Sequence, residues 1–495
     1  MDQAMQRFCL VAMALAACGN GVASLADSGS DASSPSNDAS PPIDAGSDVD
    51  AGPPPSLMLM TPPQTGATVS GTIIVRVRTS GDSVTVAQAG CPSQVVKSPF
   101  RAEWDTTCDG VDGAKTITVT ATTLTGATTS IPIQITTKNA RTSAMKTFPR
   151  GIVYDPSFGA TVLTSAFFNQ NPWIAGLSNI FQWASVQPTY NDAITDFSAF
   201  DAMMNISKGV ARTTGDPKVI FIVKSGGSAT PPWITGAPLF RPYFTETQIP
   251  NQAMEESLVP WDPVVSDYFV NLTAQLAAQY DDDPDFAGIY VAGVNAQYPE
   301  MIFAASSLWS NITTTVDDPD PGLTNDDAGA QLYANAWLRN ARLIATQFTR
   351  SYVINMLDEM PAVPADPDGA IDAIYQTINT TYSAHATMGT ANLGDGTTGG
   401  VVLTDHKYVV LDSSYNGPLG ANHTPVFYEI GPAKVDTTNP FSLANAVRKC
   451  AVGTGTGQEG CTAVTIFNKS YYDENQDAGA VGTASCDVWG GSACP

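Results

Sequence analysis

The sequence predicts an α/β chain: a (β/α)8 barrel preceded by a small all-β sandwich. Three observations point there. Residues 57–138 alternate polar and apolar side chains, as in Thr72-Ile73-Ile74-Val75-Arg76-Val77 and Thr116-Ile117-Thr118-Val119-Thr120-Ala121, with turn residues at short intervals. That is the pattern of half-buried strands in a sandwich. Residues 148–472 instead alternate apolar strand segments with helical stretches, and the span fits the roughly 200 to over 400 residues that such a barrel takes. The composition, 43% hydrophobic and 14% charged over 495 residues, supplies apolar surface for a core of that size. A doubly wound open sheet is the alternative, but no G-x-G-x-x-G follows the first strand, which weakens a dinucleotide site.

Residues 1–18 read as an export signal. Arg7 gives a short basic region and residues 8–14 an apolar run. The following Leu15-Ala16-Ala17-Cys18-Gly19 resembles the lipobox of bacterial lipoproteins. That resemblance implies cleavage before Cys18, lipidation of Cys18, and attachment at the cell envelope, on the outer membrane or cell surface. Several acyl chains are needed for stable anchoring, since one chain binds only marginally. An ordinary secretory signal with an incidental cysteine is the other reading. Residues 19–55 are Ser, Asp, Ala, Gly and Pro; they cannot build a core and are expected to form a disordered tether.

The segment 57–138 resembles bacterial Ig-like modules in its opening residues 62–71, in Trp104-Asp105-Thr106, in Asp112-Gly113 and in residues 121–126. This implies an Ig-like sandwich, more naturally a spacer than a ligand-binding module. Six cysteines fall in three local pairs: Cys91 and Cys108, Cys450 and Cys461, Cys486 and Cys494. In an exported chain such pairs read as disulfides. No C-x-x-C spacing favours zinc. The last pair lies within 473–495, expected as a disulfide-containing tail.

In the barrel, strands are expected at 151–154, 177–183, 218–224, 286–294, 352–357, 401–406, 426–430 and 462–468. Helices are expected at 197–208, 263–280, 328–348, 370–386 and 440–450. Catalytic groups of such barrels sit where strands end, so strand ends with a titratable residue matter. Glu is scarce, nine in the chain. One, Glu300, follows strand four in Asn295-Ala296-Gln297-Tyr298-Pro299-Glu300; another, Glu429, ends strand seven in Tyr428-Glu429-Ile430. Glu359, after strand five, competes on the same criterion. Two carboxyl groups flanking a bond are what glycoside cleavage needs.

The arrangement resembles retaining glycoside hydrolases of the clan A type, near the family 42 β-galactosidase relatives. Trp183 to Gln187-Pro188 resembles the clan's W-x-x-x-(E/Q)-P, Phe197-Ser198-Ala199-Phe200-Asp201 its (W/F)-S-x-(L/F)-D, and Gly227 with Pro231 and Trp233 its G-x-x-x-P-x-W. The resemblance spans about residues 150–472. It implies Glu300 as acid/base and Glu429 as nucleophile, no cofactor, and a carbohydrate substrate. Pro299 departs from the clan's Asn before the acid/base; Asn295 or Gln297 would have to replace that amide. Trp183, Trp233, Trp261, Tyr298 and Tyr428 are candidate sugar-stacking platforms, because aromatic faces suit the C–H faces of pyranose rings. Each is also a candidate core residue. His406, ending strand six, could contact a sugar hydroxyl or be a satisfied buried histidine.

Other classes fit less well. The formal charge of −24 argues against a nucleic-acid partner. No G-x-S-x-G elbow and no H-E-x-x-H motif occurs. The acidic runs at 281–283 and 317–320 lack calcium-loop spacing, so no metal is expected. A non-catalytic carbohydrate-binding or adhesive lipoprotein on a degenerate barrel is the rival reading, since a fold does not dictate a function.

Overall fold

The computed structural model describes residues 52–63, 66–156, 163–212, 216–241, 243–246, 255–259, 261–291, 301–302, 328–359, 374, 377–378, 386–390, 425–430, 443–452, 461–467 and 478–489. Eight strands come first: β1 (Leu57–Thr61), β2 (Thr68–Val69), β3 (Thr72–Thr79), β4 (Ser83–Gln88), β5 (Gln94–Val96), β6 (Arg101–Asp105), β7 (Gly113–Thr122) and β8 (Thr128–Thr137). They form one sheet β1-β3-β6 and a second β2-β8-β7-β4-β5, antiparallel except where β2 joins β8. Alternation decides the faces. In β4 every second residue is buried, and Val84 and Val86 join Val119, Ile133 and Trp104 in one core between the sheets.

Cys91 and Cys108 form the expected disulfide across a separation of 17 residues. Cys461 and Cys486 are also disulfide-bonded. Closing a loop of that size removes chain entropy worth about 3 kcal/mol. The double change Cys91→Ser with Cys108→Ser is therefore expected to lower stability by about that much. Calorimetric melting of both proteins would check it, and an unchanged melt would count against it.

The barrel strands are β9 (Gly151–Asp155), β10 (Ile174–Gln182), β11 (Lys218–Lys224), β14 (Phe286–Tyr290), β16 (Tyr352–Glu359), β17 (Ala386–Thr390), β18 (Val426–Ile430) and β19 (Ala463–Phe467). Each pairs in parallel with the next, and β19 pairs back onto β9. The parallel sheet thus curls into a closed ring, in chain order. Strands covered on both faces read as continuous apolar runs, as in the five consecutive buried residues of β11. Inside the ring lie Val153, Ile220, Ile222, Tyr290, Ile354, Met356, Phe427 and Ala463. Outside it, Ile152, Leu177, Phe221, Ile289 and Val464 pack against helices.

Those helices are α1 (Ser165–Gln170), α2 (Trp183–Val186), α3 (Ser198–Lys208), α4 (Pro232–Thr235), α5 (Pro263–Tyr280), α6 (Ala328–Gln347), α7 (Leu443–Val452) and α8 (Ala478–Trp489). A hairpin of β12 (Tyr243–Glu246) and β13 (Glu255–Leu258) and a short β15 (Met301–Ile302) complete the described elements. The start of α5 is specified locally. Asp262 accepts from the amides of Val264 (2.8 Å) and Val265 (3.2 Å), and Pro263 occupies the first turn.

Two expectations need correction. The sixth ring strand is Ala386–Thr390, which starts at the last residue of the segment 370–386 read as helix and runs on through residues assigned to no element; residues 401–406 lie outside the described residues. Gly389 permits this pairing, because a Cβ there would run into the Phe427 carbonyl. The segment 473–495, read as a tail, contains α8. Val481 and Ala484 are buried in the main core, and the Trp489 indole donates to the Cys461 carbonyl at 3.2 Å.

The sandwich is also no loose spacer. Ile74 of β3 packs with Val270 of α5 and Leu343 of α6. The Asn271 amide pairs with the Ile74 backbone both ways, accepting at 2.7 Å and donating at 2.8 Å. Gln347 donates to the Thr72 carbonyl at 2.8 Å, and the Tyr268 hydroxyl to the Met60 carbonyl at 2.7 Å. Gly71 has a φ of 69° and no room for a Cβ against the Thr346 backbone. Helix α5 is buried almost all round as a result, since the ring covers one face and the sandwich the other.

Lys146, between the sandwich and β9, donates to the Ser351 hydroxyl at 2.8 Å and lies 5.3 Å from the centre of the Phe286 ring. Burial pushes its ammonium down to about 8, against the pull of Asp281, Asp283 and Asp282. The unfolded chain then holds this proton between about pH 8 and 10.5 while the folded chain has lost it. Stability should therefore rise with pH across that window, with the penalty fully present below it. The stability of the wild type relative to Lys146→Met is expected to increase by on the order of 2 kcal/mol between pH 7 and 10.5. A flat difference in unfolding free energy would refute this.

Candidate active site at the strand ends

Around the ring, the carboxyl ends of the strands bring together residues distant in sequence. Gln182 of β10 is in register with Lys224 of β11, and Asp155 of β9 with Phe467 of β19. Glu429 of β18 is in register with Thr465 of β19. In the order of the ring β18 is the seventh strand and β14 the fourth, so Glu429 stands on strand seven and Glu300 belongs to the chain that follows strand four.

Glu300 itself, Asn295 and Tyr298 lie outside the described residues, as does His406. The chain rejoins the sheet directly after Glu300. Met301 pairs with Leu357 and Ile302 with Glu359, at the carboxyl end of β16. Glu359, the competing carboxylate, thus stands on the strand that receives this segment. One strand, β17, separates β16 from β18, placing their backbones roughly 10 Å apart.

Asp155 was missed from the sequence. It ends β9, is fully buried, and accepts from the Ser178 hydroxyl of β10 at 2.7 Å. The signal was present: the strand-end criterion would have found it had strand one been extended one residue past Tyr154.

The tryptophans are a correction. Trp183, Trp233 and Trp261 are 0%, 5% and 5% exposed, and all belong to the main core. Trp183 meets Trp233 edge-on at 6.1 Å and Phe269 at 5.5 Å. A ring covered in this way has no face to offer a sugar. Their indole nitrogens converge on Gln187 instead. Trp183 donates to its side-chain oxygen and Trp233 to its backbone carbonyl, each at 3.0 Å, while the Gln187 amide donates to the Asp192 carbonyl at 2.9 Å. Gln187 therefore ties the loop after β10 to the loop after β11. Tyr428 stands on β18 next to Glu429, in register with Thr390 of β17.

Among the described residues, no group of three or more His, Cys, Asp or Glu could hold a metal ion, and no helix is long and apolar enough to cross a membrane. Cys18 lies outside the described residues.

No family model and no curated protein matches the chain. Among solved structures, it is similar to a β-galactosidase from the psychrophilic Marinomonas ef1, with 9% identity and a TM-score of 0.40, covering 68% of this chain and 58% of that one. It is similar to a xylanase from Cellvibrio japonicus, with 10% identity and a TM-score of 0.37, covering 69% of this chain and 97% of that one. It is also similar to endo-glycoceramidase II from Rhodococcus sp., with 14% identity and a TM-score of 0.37, covering 66% and 75%. Likenesses this distant transfer no chemistry; the closed ring of strands rests on the pairings above.

Proposed function

We propose that the chain is a glycoside hydrolase acting on oligo- or polysaccharide, by a retaining mechanism with two carboxyl groups. The observation that supports it is the position of two scarce glutamates in the ring order, Glu429 on the seventh strand and Glu300 in the chain after the fourth. This is the placement that the clan A resemblance, near family 42, assigns to nucleophile and acid/base. In that mechanism the Glu429 carboxylate attacks the anomeric carbon while Glu300 protonates the departing oxygen. A glycosyl-enzyme ester forms, and Glu300, now a base, activates the water that hydrolyses it. Asn295, Tyr298, Tyr428 and His406 are the side chains we assign to sugar contacts. The lipobox at Cys18, the tether 19–55 and an Ig-like sandwich complete an envelope-anchored enzyme that keeps its products close to the cell.

The test is a screen of the purified full-length protein against aryl glycosides and polysaccharides, with product stereochemistry followed by proton NMR. Hydrolysis with retention at the anomeric carbon is expected. Binding without turnover across the whole panel would replace the enzyme with a carbohydrate-binding protein.

A further inference from the structure

One cluster in the seam between sandwich and barrel holds more positive charge than it neutralises. Arg76 of β3 and Arg101 of β6 lie directly opposite each other in the antiparallel ladder, a like-charge pairing that is unfavourable unless something bridges it. Asp267 of α5 does so. Its carboxylate is 1% exposed and accepts from Arg76 Nε at 2.7 Å and Arg101 Nε at 3.0 Å. Glu103 accepts from Arg101 at 3.0 Å and, through both oxygens, from Arg342 of α6 at 2.8 Å. These two carboxylates are thereby occupied.

Arg339 of α6 stands in the field of the same Asp267, Arg101, Arg76 and Glu103. It has no hydrogen bond or ion pair among the described residues. Its Nε and one terminal nitrogen are shut off from water without a partner, as are one terminal nitrogen of Arg101 and the side-chain nitrogen of neighbouring Asn340. Asn340 uses its oxygen to accept from Ser266, the residue before Asp267. Four guanidinium groups thus face two carboxylates, and the donors left over have no acceptor. Burying a charge without a counter-ion is strongly unfavourable. Burial indeed holds the Arg339 guanidinium below its ordinary range. The cluster is open on one side, where the Arg342 and Glu103 side chains are 43% and 30% exposed.

We propose that this seam is a binding site for a small inorganic oxyanion of the phosphate or sulfate type, held by Arg339, Arg101 and Asn340. An oxyanion supplies several acceptor oxygens to planar guanidinium forks and cancels the excess charge; a water molecule would do only the first. The donors come from a sandwich strand and a barrel helix, so the site exists only while the two are docked. The anion therefore stabilises the docked state by mass action.

The experiment is thermal unfolding of the full chain with increasing sodium phosphate, at ionic strength held constant with sodium chloride. The midpoint is expected to rise saturably, by about 3 °C at a hundredfold excess over Kd. Arg339→Met should melt higher than wild type without phosphate and no longer respond to it. Lys115→Met, which breaks a distant pair with Asp109, should respond as wild type does. Titration calorimetry of the wild type with phosphate should give one site per chain, a readout independent of how any variant folds. A flat wild-type response, an equal response in Arg339→Met, or an equal rise with chloride alone would overturn the proposal.

Discussion

Glu429→Gln is expected to lower kcat/KM for glycoside hydrolysis by about 10³-fold or more, which is about 4 kcal/mol of transition-state stabilisation. The amide keeps the size of the side chain but has no charge to attack the anomeric carbon. Glu300→Gln should behave differently, because a proton donor matters most for a poor leaving group. It should abolish hydrolysis of alkyl glycosides and natural oligosaccharides, and cost much less on an aryl glycoside whose phenolate departs unaided. Both variants should keep the wild-type melting temperature. Steady-state kinetics on the two substrate types, with melting curves alongside, separates the roles. Wild-type turnover in Glu429→Gln would remove that residue from the mechanism and leave Glu359 or Asp155 to be tested in its place.

The largest effect on stability should come from Asp281→Asn. The Asp281 carboxylate is fully buried at the end of α5. It accepts from Arg141 Nε at 2.8 Å and from the backbone amides of Thr349 at 2.9 Å, Arg350 at 3.1 Å and Ser351 at 2.9 Å. Arg141 in turn donates to the Ser70 hydroxyl at 2.6 Å and the Ala277 carbonyl at 3.2 Å. One carboxylate thus joins the sandwich, the connecting segment, α5 and the turn from α6 into β16. An amide cannot accept on its nitrogen, and it leaves Arg141 without a counter-charge. The expected loss is about 3–5 kcal/mol, the range for breaking a buried ion pair from one side. Asp282→Asn next to it, on a partly exposed carboxylate held by Thr142 and Ser143, should cost far less. Denaturant unfolding of the two variants checks the contrast, and equal losses would show that the hub is not where the stability resides.

Much of this architecture was legible in the sequence because periodicity is local. The alternation of residues 83–88 announces β4, and the apolar run 218–224 announces β11, since a strand buried on one face reads differently from one buried on two. Helix α5 was readable over its whole length, 263–280, because Asp262 and Pro263 mark its start. Glu429 could be found because a carboxylate at the end of an apolar strand stands out.

The misreadings have physical causes too. Ala386–Thr390 lacks the β-branched run that marks a strand and is held by its neighbours β16 and β18. Helix α8 is rich in Gly, Ala and Ser, so its apolar stripe is weak, and docking against Trp173 and Cys461 supplies what propensity does not. The tryptophans carry the same letters whether they face a sugar or a core; the covering of Trp183 by Trp233 and Phe269 decided between them.

By itself the sequence determined the strongly patterned strands and helices, such as β4, β11 and α5, and that one glutamate ends the strand at 426–430 while another follows the strand that starts at Phe286. Those are short-range properties, governed by backbone geometry and side-chain period. Only the tertiary structure decided which segment closes the ring at its sixth position, that the sandwich is braced against α5 and α6, and that Arg76 meets Asp267 across 191 residues. Such pairings depend on the net free energy of contacts between distant parts of the chain, and no local pattern records them.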